Sequence, residues 1–453
     1  MSSLRNKIVS LWNEDIVLRR VIRNTGYLFS SQSVGLVLAM GQTILATRLL
    51  GASLFGVLSV VMAFATTVNQ LLSFRMGEFI IRFMGKELVN KNHPRAAALA
   101  KVAGVTEGTV SILAFAIYMA LAPLGARYIA KDMTSLPFFY LYGLFILANL
   151  TTETATGVLQ VFNRFKIQAG INLVQSVITA GIITLAFFTK GSLLIIIWAY
   201  LIGKFITGLG PIVAAWFTLN KELGRQWIKA PFSLLPSFSE MSQFAISTNL
   251  SGTIKMLVSG SGSELLLVGF LLDTKAVALY NIALSIVNPL MIPISQFINT
   301  TFPEMTKSIV AKKWQELRRL LRRVTLISGT WTILFTLAML FFGPWILSVW
   351  GKEYVPAYST MMILIVGYGI SNIFFWNRSL LLSFGKAHIP LFIMAVVAVI
   401  KTGLAFVFVP NHGIQAEAML LSGNFVISVG LLVIIGILLI NRSEKADQAQ
   451  FVN

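Results

Sequence analysis

The amino-acid sequence predicts an all-α polytopic membrane protein with about twelve transmembrane helices. Its 453 residues are 56% apolar and only 12% charged, and their mean hydropathy is +0.79. A soluble domain carries about 25% charged residues, so this chain has too few polar side chains to cover a water-soluble globule. The composition therefore argues against soluble multidomain enzymes and against disordered or fibrous chains.

Apolar stretches of about 20 residues, the length that a helix needs to cross the hydrocarbon core, recur along the chain. The predicted spans are 27–50, 57–83, 100–122, 137–161, 168–189, 192–218, 241–268, 276–303, 324–349, 356–383, 389–409 and 413–440. The fifth and sixth of these spans are so close in sequence that they must form a tight helical hairpin.

The charges between the spans predict the orientation of the chain. Most of the 36 Lys and Arg residues lie in one set of alternate gaps. The positive-inside rule places those gaps, and with them both termini, in the cytoplasm. The net charge of +19 therefore reflects membrane topology, because a nucleic-acid-binding protein gathers its basic residues on one folded face. We expect no nucleic-acid partner.

The longest polar interruption divides the spans into two sets of six. The predicted domains are a cytoplasmic interfacial N-terminal segment 1–24, an N-lobe 25–219, a cytoplasmic linker 220–240, a C-lobe 241–440 and a cytoplasmic tail 441–453. An even number of spans gives both lobes the same orientation, so any internal repeat is parallel. A basic and amphipathic stretch, 314–324, predicts a helix that lies on anionic membrane lipids; a solvated basic loop is the alternative.

Residue types that carry enzyme chemistry are scarce. Cysteine is absent, which excludes disulfides, thiolate nucleophiles and Cys-ligated metals. The acids near the predicted outer loops, Asp132, Asp273 and Glu353, are scattered, and the nucleotide-binding pattern Gly-x4-Gly-Lys-Ser/Thr does not occur. We therefore expect transport rather than catalysis, with no cofactor and no metal. The energy would come from an H⁺ or Na⁺ gradient, the membrane potential or consumption of the product.

Six basic residues lie within predicted spans or at their ends, where an ionisable group costs at least about 2.5–3.5 kcal/mol. They are Lys255, Lys204, Arg75, Arg48, Arg378 and Lys401. Lys255 belongs to a stripe of Ser and Gly at helical spacing, which predicts a face that lines a hydrated cavity; a tight helix contact is the alternative. For Arg48 and Arg378, near the ends of spans, the alternative is snorkelling to the membrane surface.

Polar side chains at helical spacing in other spans also predict a hydrated cavity. The predicted cavity and coupling residues are Glu153, Glu78, Asn149, Gln160, Asn172, Gln175, Asn281 and Asn288. For Arg75, Glu78 and Arg82, the alternative to a substrate-binding role is a ladder of ion pairs along one helix face. For Glu153 three roles stay open: a counter-ion in the cavity, a proton-binding site, or a protonated acid that is hydrogen-bonded to neighbouring Thr residues. At depth the cations outnumber the acids, which predicts an anionic cargo that carries phosphate.

Several segments of the chain resemble one family. Residues 46–56 resemble the Arg-x-Leu-Gly-x-x-x-Phe-Gly opening of the Wzx-type polysaccharide flippases. Segments 269–303, 350–354, 384–386 and 409–414 are similar to the same family. The resemblance extends along nearly the whole chain and implies the multidrug/oligosaccharidyl-lipid/polysaccharide exporter (MOP) superfamily.

This resemblance implies two six-helix lobes around a central cavity, as in MATE transporters, in the bacterial cytoplasmic (inner) membrane. It implies a flippase that moves undecaprenyl-diphosphate-linked oligosaccharides to the periplasmic leaflet by alternating access, for O-antigen lipopolysaccharide, capsule or exopolysaccharide synthesis. Lys255, Lys204 and Arg75 would engage the diphosphate, and a polysaccharide polymerase and a chain-length regulator would be partners. The alternatives are a cation-coupled multidrug antiporter, which would favour acids at depth, and a membrane enzyme of polysaccharide assembly.

Overall fold

The computed structural model describes residues 16–74, 76–235, 241–242, 249, 262–386 and 388–452. Within these ranges it leaves out the side chains of residues 16–26, 28–29, 294–297, 299–300 and 449–452. Every regular element of the described part is a helix, which confirms the predicted all-α fold class.

Among the described residues on either side of 236–261, the elements follow one another with short connections. The first α-helices are α1 (Ile16–Leu72), α2 (Gly77–Phe79), α3 (Gly85–Val89), α4 (His93–Leu124), α5 (Leu136–Gly143), α6 (Phe145–Ala148), α7 (Thr152–Val161), α8 (Phe165–Phe188) and α9 (Leu193–Glu222). The later α-helices are α10 (Ser263–Leu271), α11 (Thr274–Val287), α12 (Ile292–Val310), α13 (Trp314–Trp350), α14 (Tyr358–Ile373), α15 (Asn377–Ser383) and α16 (His388–Val452). The π-helices are Ile80–Met84 and Gly125–Ile129, and the 3-10 helices are Met133–Ser135, Trp227–Lys229, Phe232–Leu234, Asn288–Met291 and Lys352–Ala357.

Two of the longest helices are interrupted at a glycine. The interruption in α1 is at Gly51 (φ 69°, ψ 172°) and that in α16 is at Gly413 (φ 68°, ψ −156°). Residues with a side chain rarely adopt either of these backbone conformations, so both interruptions require glycine. Both glycines belong to segments that carried the family resemblance, and both lie at or beside a predicted boundary between spans.

Eight helical segments of the described chain are long and apolar enough to cross a membrane. Since Gly51 and Gly413 each divide one of these, the described residues hold ten apolar segments. The predicted span 241–268 lies mainly outside the described residues. The prediction of a multi-pass helical membrane protein is therefore confirmed.

The chain divides into two compact units. Unit 1 comprises the described residues of Met1–Leu49, Phe64–Ala126 and Asp132–Thr253. Unit 2 comprises the described residues of Leu50–Ala63, Arg127–Lys131 and Ile254–Asn453. Each unit has its own apolar core.

The predicted amphipathic stretch 314–324 belongs to the core of unit 2. It forms the start of the 37-residue helix α13 and continues directly into the following span. Its apolar side chains, among them Trp314, Leu317 and Leu321, are buried in a cluster that includes Ile440 of α16. The prediction that this apolar face lies on lipid is therefore wrong, because the face packs against protein.

Four predicted spans are broken rather than continuous among the described residues. The helix predicted at 57–83 ends at Leu72, so Glu78 lies in α2 and Arg82 lies in the following π-helix. The helix predicted at 137–161 is divided into α5, α6 and α7. The span predicted at 276–303 is interrupted by the 3-10 helix Asn288–Met291, and the span predicted at 356–383 is divided into α14 and α15. The polar stripes that assume one straight helix through these breaks are therefore interrupted.

Candidate functional site

Lys204, a predicted cavity cation, lies on α9 in unit 1 and is half-buried. Its Nζ lies 5.9 Å from the centre of the Phe145 ring, which α6 supplies. No carboxylate forms an ion pair with Lys204 among the residues that the structure describes. An ammonium against an aromatic face keeps its three N–H donors, so Lys204 is suited to binding an anion.

Polar side chains from α8 lie beside the same stretch of α9. Gln175 donates a hydrogen bond from Nε2 to Oγ1 of Thr179 at 3.1 Å. Both side chains lie against Gly203, where an added Cβ would be 2.9 Å from Gln175 Nε2. The predicted residue Gln175 is therefore next to the residue that precedes Lys204.

The turn between α6 and α7 contacts α9 one helical turn further along. Asn149 Nδ2 donates to the carbonyl of Phe145 at 3.1 Å. The hydroxyl of Thr152 donates to the carbonyl of Gly208 at 3.2 Å. We call Lys204, Phe145, Gln175, Thr179 and Asn149 the Lys204 cluster; it combines one cation with several amide and hydroxyl groups in unit 1.

A buried acid that was not among the predicted site residues stabilises the start of α7, just after the break between α6 and α7. Glu107 of α4 is 3% exposed. Its two carboxylate oxygens accept the backbone N–H groups of Glu153 at 2.9 Å and Thr154 at 2.8 Å, at the start of α7. Free N–H groups at a helix N-terminus stabilise a carboxylate, so Glu107 has a structural role. The side chain of Glu153, the acid that the sequence singled out, is exposed.

Unit 2 contains a different arrangement around Lys401, another predicted cavity cation. Lys401 is 8% exposed and forms an ion pair with Glu417, which is fully buried. Both residues belong to α16, but they lie on opposite sides of the interruption at Gly413. Lys401 is therefore neutralised by a carboxylate and is not a free cation.

A second buried acid lies beside this pair. Glu264 of α10 is 5% exposed and lies within electrostatic range of Lys401 and Glu417. Glu264 and Lys401 line one cavity of about 360 Å³, together with Asn424. Oε2 of Glu417 and Oδ1 of Asn424 have no hydrogen-bond partner among the described atoms.

We call Glu264, Lys401 and Glu417 the acid–lysine cluster. With all three side chains ionised, the described groups carry one more negative than positive charge. A buried charge without a partner is unfavourable, and interacting acids of this kind share protons. The cluster is therefore suited to holding a proton or a small monovalent cation.

The other predicted site residues are dispersed. Arg75 and Lys255 lie outside the described residues. Four predicted residues are exposed: Arg48, Arg378, Glu78 and Asn288. Gln160 and Asn172 are half-buried in unit 1. In unit 2, Asn281 donates from Nδ2 to Oγ of Ser59 at 2.8 Å, so its amide has a partner within the protein.

The charge balance at depth differs from the prediction. Within the described part of the spans, the buried acids Glu107, Glu264 and Glu417 outnumber the one buried cation, Lys401. The expected excess of cations is therefore wrong for the described residues. The acids could have been found from the sequence, because each is a charged residue inside or at the end of an apolar run.

Comparisons with known proteins agree with the resemblance found in the sequence. The model of the family described as "Polysaccharide biosynthesis protein" matches residues 21–309, more than half of the chain. The MatE family model matches residues 256–407. A curated relative, "Inner membrane protein YghQ" of Escherichia coli (strain K12), is 24% identical over 362 residues, which are 77% of this chain and 97% of the relative.

Solved structures show the same fold. An inward-facing multidrug resistance MATE family transporter of the MOP superfamily has a TM-score of 0.68 at 12% identity, covering 90% of this chain and 96% of that one. A MOP superfamily transporter from Pyrococcus furiosus Vc1 (DSM3638), described as having a binding pocket of reverse polarity, has a TM-score of 0.58 at 12% identity, covering 93% of this chain and 95% of that one. At such identities the likeness concerns the fold alone.

Proposed function

Because the chain belongs to the polysaccharide biosynthesis protein family, we propose that it is a flippase for lipid-linked oligosaccharides. The observation that carries this proposal is the family match over more than half of a chain that folds like MOP superfamily transporters. The cargo would be an undecaprenyl-diphosphate-linked repeat unit, moved from the cytoplasmic to the periplasmic leaflet of the bacterial inner membrane. A polysaccharide polymerase and a chain-length regulator would use the product.

The Lys204 cluster supports a phosphate-bearing cargo. Lys204 has an aromatic ring and amide groups nearby and no carboxylate partner among the described residues. A diphosphate would gain charge-assisted hydrogen bonds from this ammonium. Amide groups such as those of Asn149 and Gln175 would bind sugar hydroxyls. Arg75 and Lys255 keep their predicted role as further diphosphate contacts within this proposal.

The acid–lysine cluster supports coupling to an ion gradient. Its excess negative charge would be neutralised by H⁺ or Na⁺ drawn from outside the membrane. Binding of that cation would then favour one of the two states of an alternating-access cycle. In this assignment the Lys204 cluster binds the anionic head of the cargo, and the acid–lysine cluster binds the coupling ion.

A cation-coupled multidrug antiporter is the second candidate. The observation in its favour is the set of buried acids, because a cationic drug requires negative charge at depth. A MATE fold is compatible with both activities.

Deletion of the gene separates the two candidates. Loss of a flippase should leave completed lipid-linked repeat units on the cytoplasmic leaflet and reduce surface polysaccharide, with unchanged drug sensitivity. Labelled lipid-linked oligosaccharide should also cross the bilayer of proteoliposomes that contain the purified protein. An unchanged pool of intermediates with greater drug sensitivity would instead select the antiporter.

A further inference from the structure

Unit 1 contains a groove of about 350 Å³ that the Lys204 cluster does not use. One face each of α4, α7 and α9 lines it, together with the 3-10 helix Trp227–Lys229. Small residues, Gly104 of α4, Ala155 of α7 and Ala215 of α9, leave the space between the helices open. The groove is mostly apolar and is large enough for part of a flexible chain.

The rim of this groove presents large apolar side chains. Val105 and Trp216, on two segments that are apolar enough to span a membrane, are exposed, and so is Ile228. Exposed apolar surface on a membrane-spanning helix contacts acyl chains rather than water. The rim is therefore accessible from the hydrocarbon region.

One polar group in the groove points to a ligand that accepts hydrogen bonds. Lys101 donates from Nζ to the carbonyl of Ala230 at 3.2 Å and lies 4.3 Å from the centre of the Phe232 ring, which leaves N–H donors of the ammonium available. A purely hydrocarbon ligand would not use this positive charge.

The same end of unit 1 has the features of a membrane–water interface. Trp216 and Trp227 contact each other edge to face, with ring centres 5.5 Å apart. Lys229 and Arg225 of the neighbouring linker are exposed. Aromatic rings and basic side chains concentrate where acyl chains meet headgroups.

We propose that this groove binds one acyl chain of an anionic glycerophospholipid, with the headgroup phosphate beside Lys101. The apolar helix faces hold the chain, and the ammonium attracts the phosphate. This proposal does not depend on the transported cargo, so it can be tested separately from the flippase assignment.

The bound lipid also lies next to the linker that follows α9. Trp227 lines the groove, and the linker is tied to α4 through Lys101 and through Arg95, whose Nε donates to the carbonyl of Leu234 at 2.8 Å. Lipid binding therefore stabilises the attachment of residues 224–235 to α4. Hydrogen exchange in that segment reports occupancy without any transport assay.

Native mass spectrometry of the full-length protein tests the proposal, with phosphatidylglycerol and zwitterionic phosphatidylethanolamine as probes. Gly104→Leu fills the groove, since an added Cβ there meets nothing within 4 Å. Gly181→Leu, on α8 and equally free of close contacts, is the matched control. Lys101→Gln removes the charge, and Lys166→Gln at an exposed position is its control.

The wild type and both controls should bind phosphatidylglycerol about fivefold more tightly than phosphatidylethanolamine. Gly104→Leu should lose the tightly bound lipid and exchange hydrogen faster at 224–235, whereas Lys101→Gln should bind both lipids equally. Val105→Trp, which closes the rim from an exposed position, should repeat the loss if Gly104→Leu does not fold. Unchanged lipid binding in the groove variants overturns the proposal. Tighter binding of undecaprenyl phosphate than of phosphatidylglycerol at the same site overturns the choice of lipid.

Discussion

Lys204 in unit 1 and Lys401 in unit 2 are both lysines in apolar helices, but their surroundings differ. Lys204 is half-buried beside the Phe145 ring, without a carboxylate partner among the described residues. Lys401 is almost fully buried and paired with Glu417, with Glu264 nearby. The first lysine is free to bind an anion, whereas the second one neutralises acids of its own unit.

The comparison shows that an ionisable residue in a span has no fixed role by itself. A buried cation is tolerated either because a ligand or water reaches it or because a carboxylate compensates it. Removing Lys401 should therefore mainly change stability, whereas removing Lys204 should mainly change transport. The four predictions below test that division.

The largest expected effect is on the stability of the Lys401→Met variant. Loss of the ammonium leaves two buried carboxylates without compensation, which should lower the free energy of unfolding by about 3–5 kcal/mol. Thermal unfolding in detergent measures the effect, and the double variant Lys401→Met/Glu417→Gln should regain most of it. The exposed pair Lys307–Glu304 is the control, where Lys307→Met should cost at most about 1 kcal/mol. Equal stability of the two single variants would contradict the compensating role of Lys401.

Lys204→Met should impair transport and leave the unfolding temperature nearly unchanged. A hydrogen bond to a charged group contributes about 1.5–3 kcal/mol, so translocation of lipid-linked oligosaccharide should fall about tenfold or more. Lys204→Arg should keep part of the activity, and Lys166→Met at an exposed position is the control. A proteoliposome translocation assay and the melting temperature together measure the result. Normal translocation by Lys204→Met would exclude this residue from cargo binding.

Composition and apolar run length were sufficient to predict the helical membrane fold. The positions of Gly51 and Gly413 match predicted span boundaries because a helix that reverses direction needs a backbone conformation that glycine adopts. The breaks within 57–83 and 137–161 were not predicted, because the polar residues at each break, such as Glu78 and Glu153, were assigned to one face of a continuous helix. At the second break, Glu107 from a different helix accepts hydrogen bonds from the free backbone N–H groups at the start of α7.

The site was predictable only in its residue types. Helical spacing identifies neighbours three or four positions apart on one straight helix. Glu417 lies 16 positions after Lys401 and reaches it because the chain is interrupted at Gly413 between them. The contact of Lys204 with Phe145 likewise joins two separate helices. Such pairs depend on tertiary structure. The sequence could therefore indicate that Lys401 is a charged residue within a span, but not which carboxylate neutralises its charge.

Gly413→Ala should disturb the geometry that joins Lys401 to Glu417. A side chain in this backbone region costs about 1–3 kcal/mol, and the free energy of unfolding should fall by that amount. Gly403→Ala, in the same helix and with nothing within 4 Å of an added Cβ, is the matched control and should be neutral or slightly stabilising. Chemical unfolding of both variants in detergent measures the difference. Identical curves would show that the interruption tolerates a side chain and does not define the pair.

The smallest expected effect belongs to Asn281, which the sequence assigned to the cavity and which the structure pairs with Ser59 in unit 2. If the amide is structural, Asn281→Ala should cost about 0.5–1.5 kcal/mol of stability and leave translocation unchanged. A double-mutant cycle with Ser59→Ala should give a coupling energy of similar size, and the exposed Asn288→Ala serves as the control with no loss of stability. A loss of translocation without a loss of stability would show that Asn281 binds the cargo. In that case Asn281 would bind the cargo as Lys204 does, and the roles of the polar residues near Lys401 would have to be assigned residue by residue.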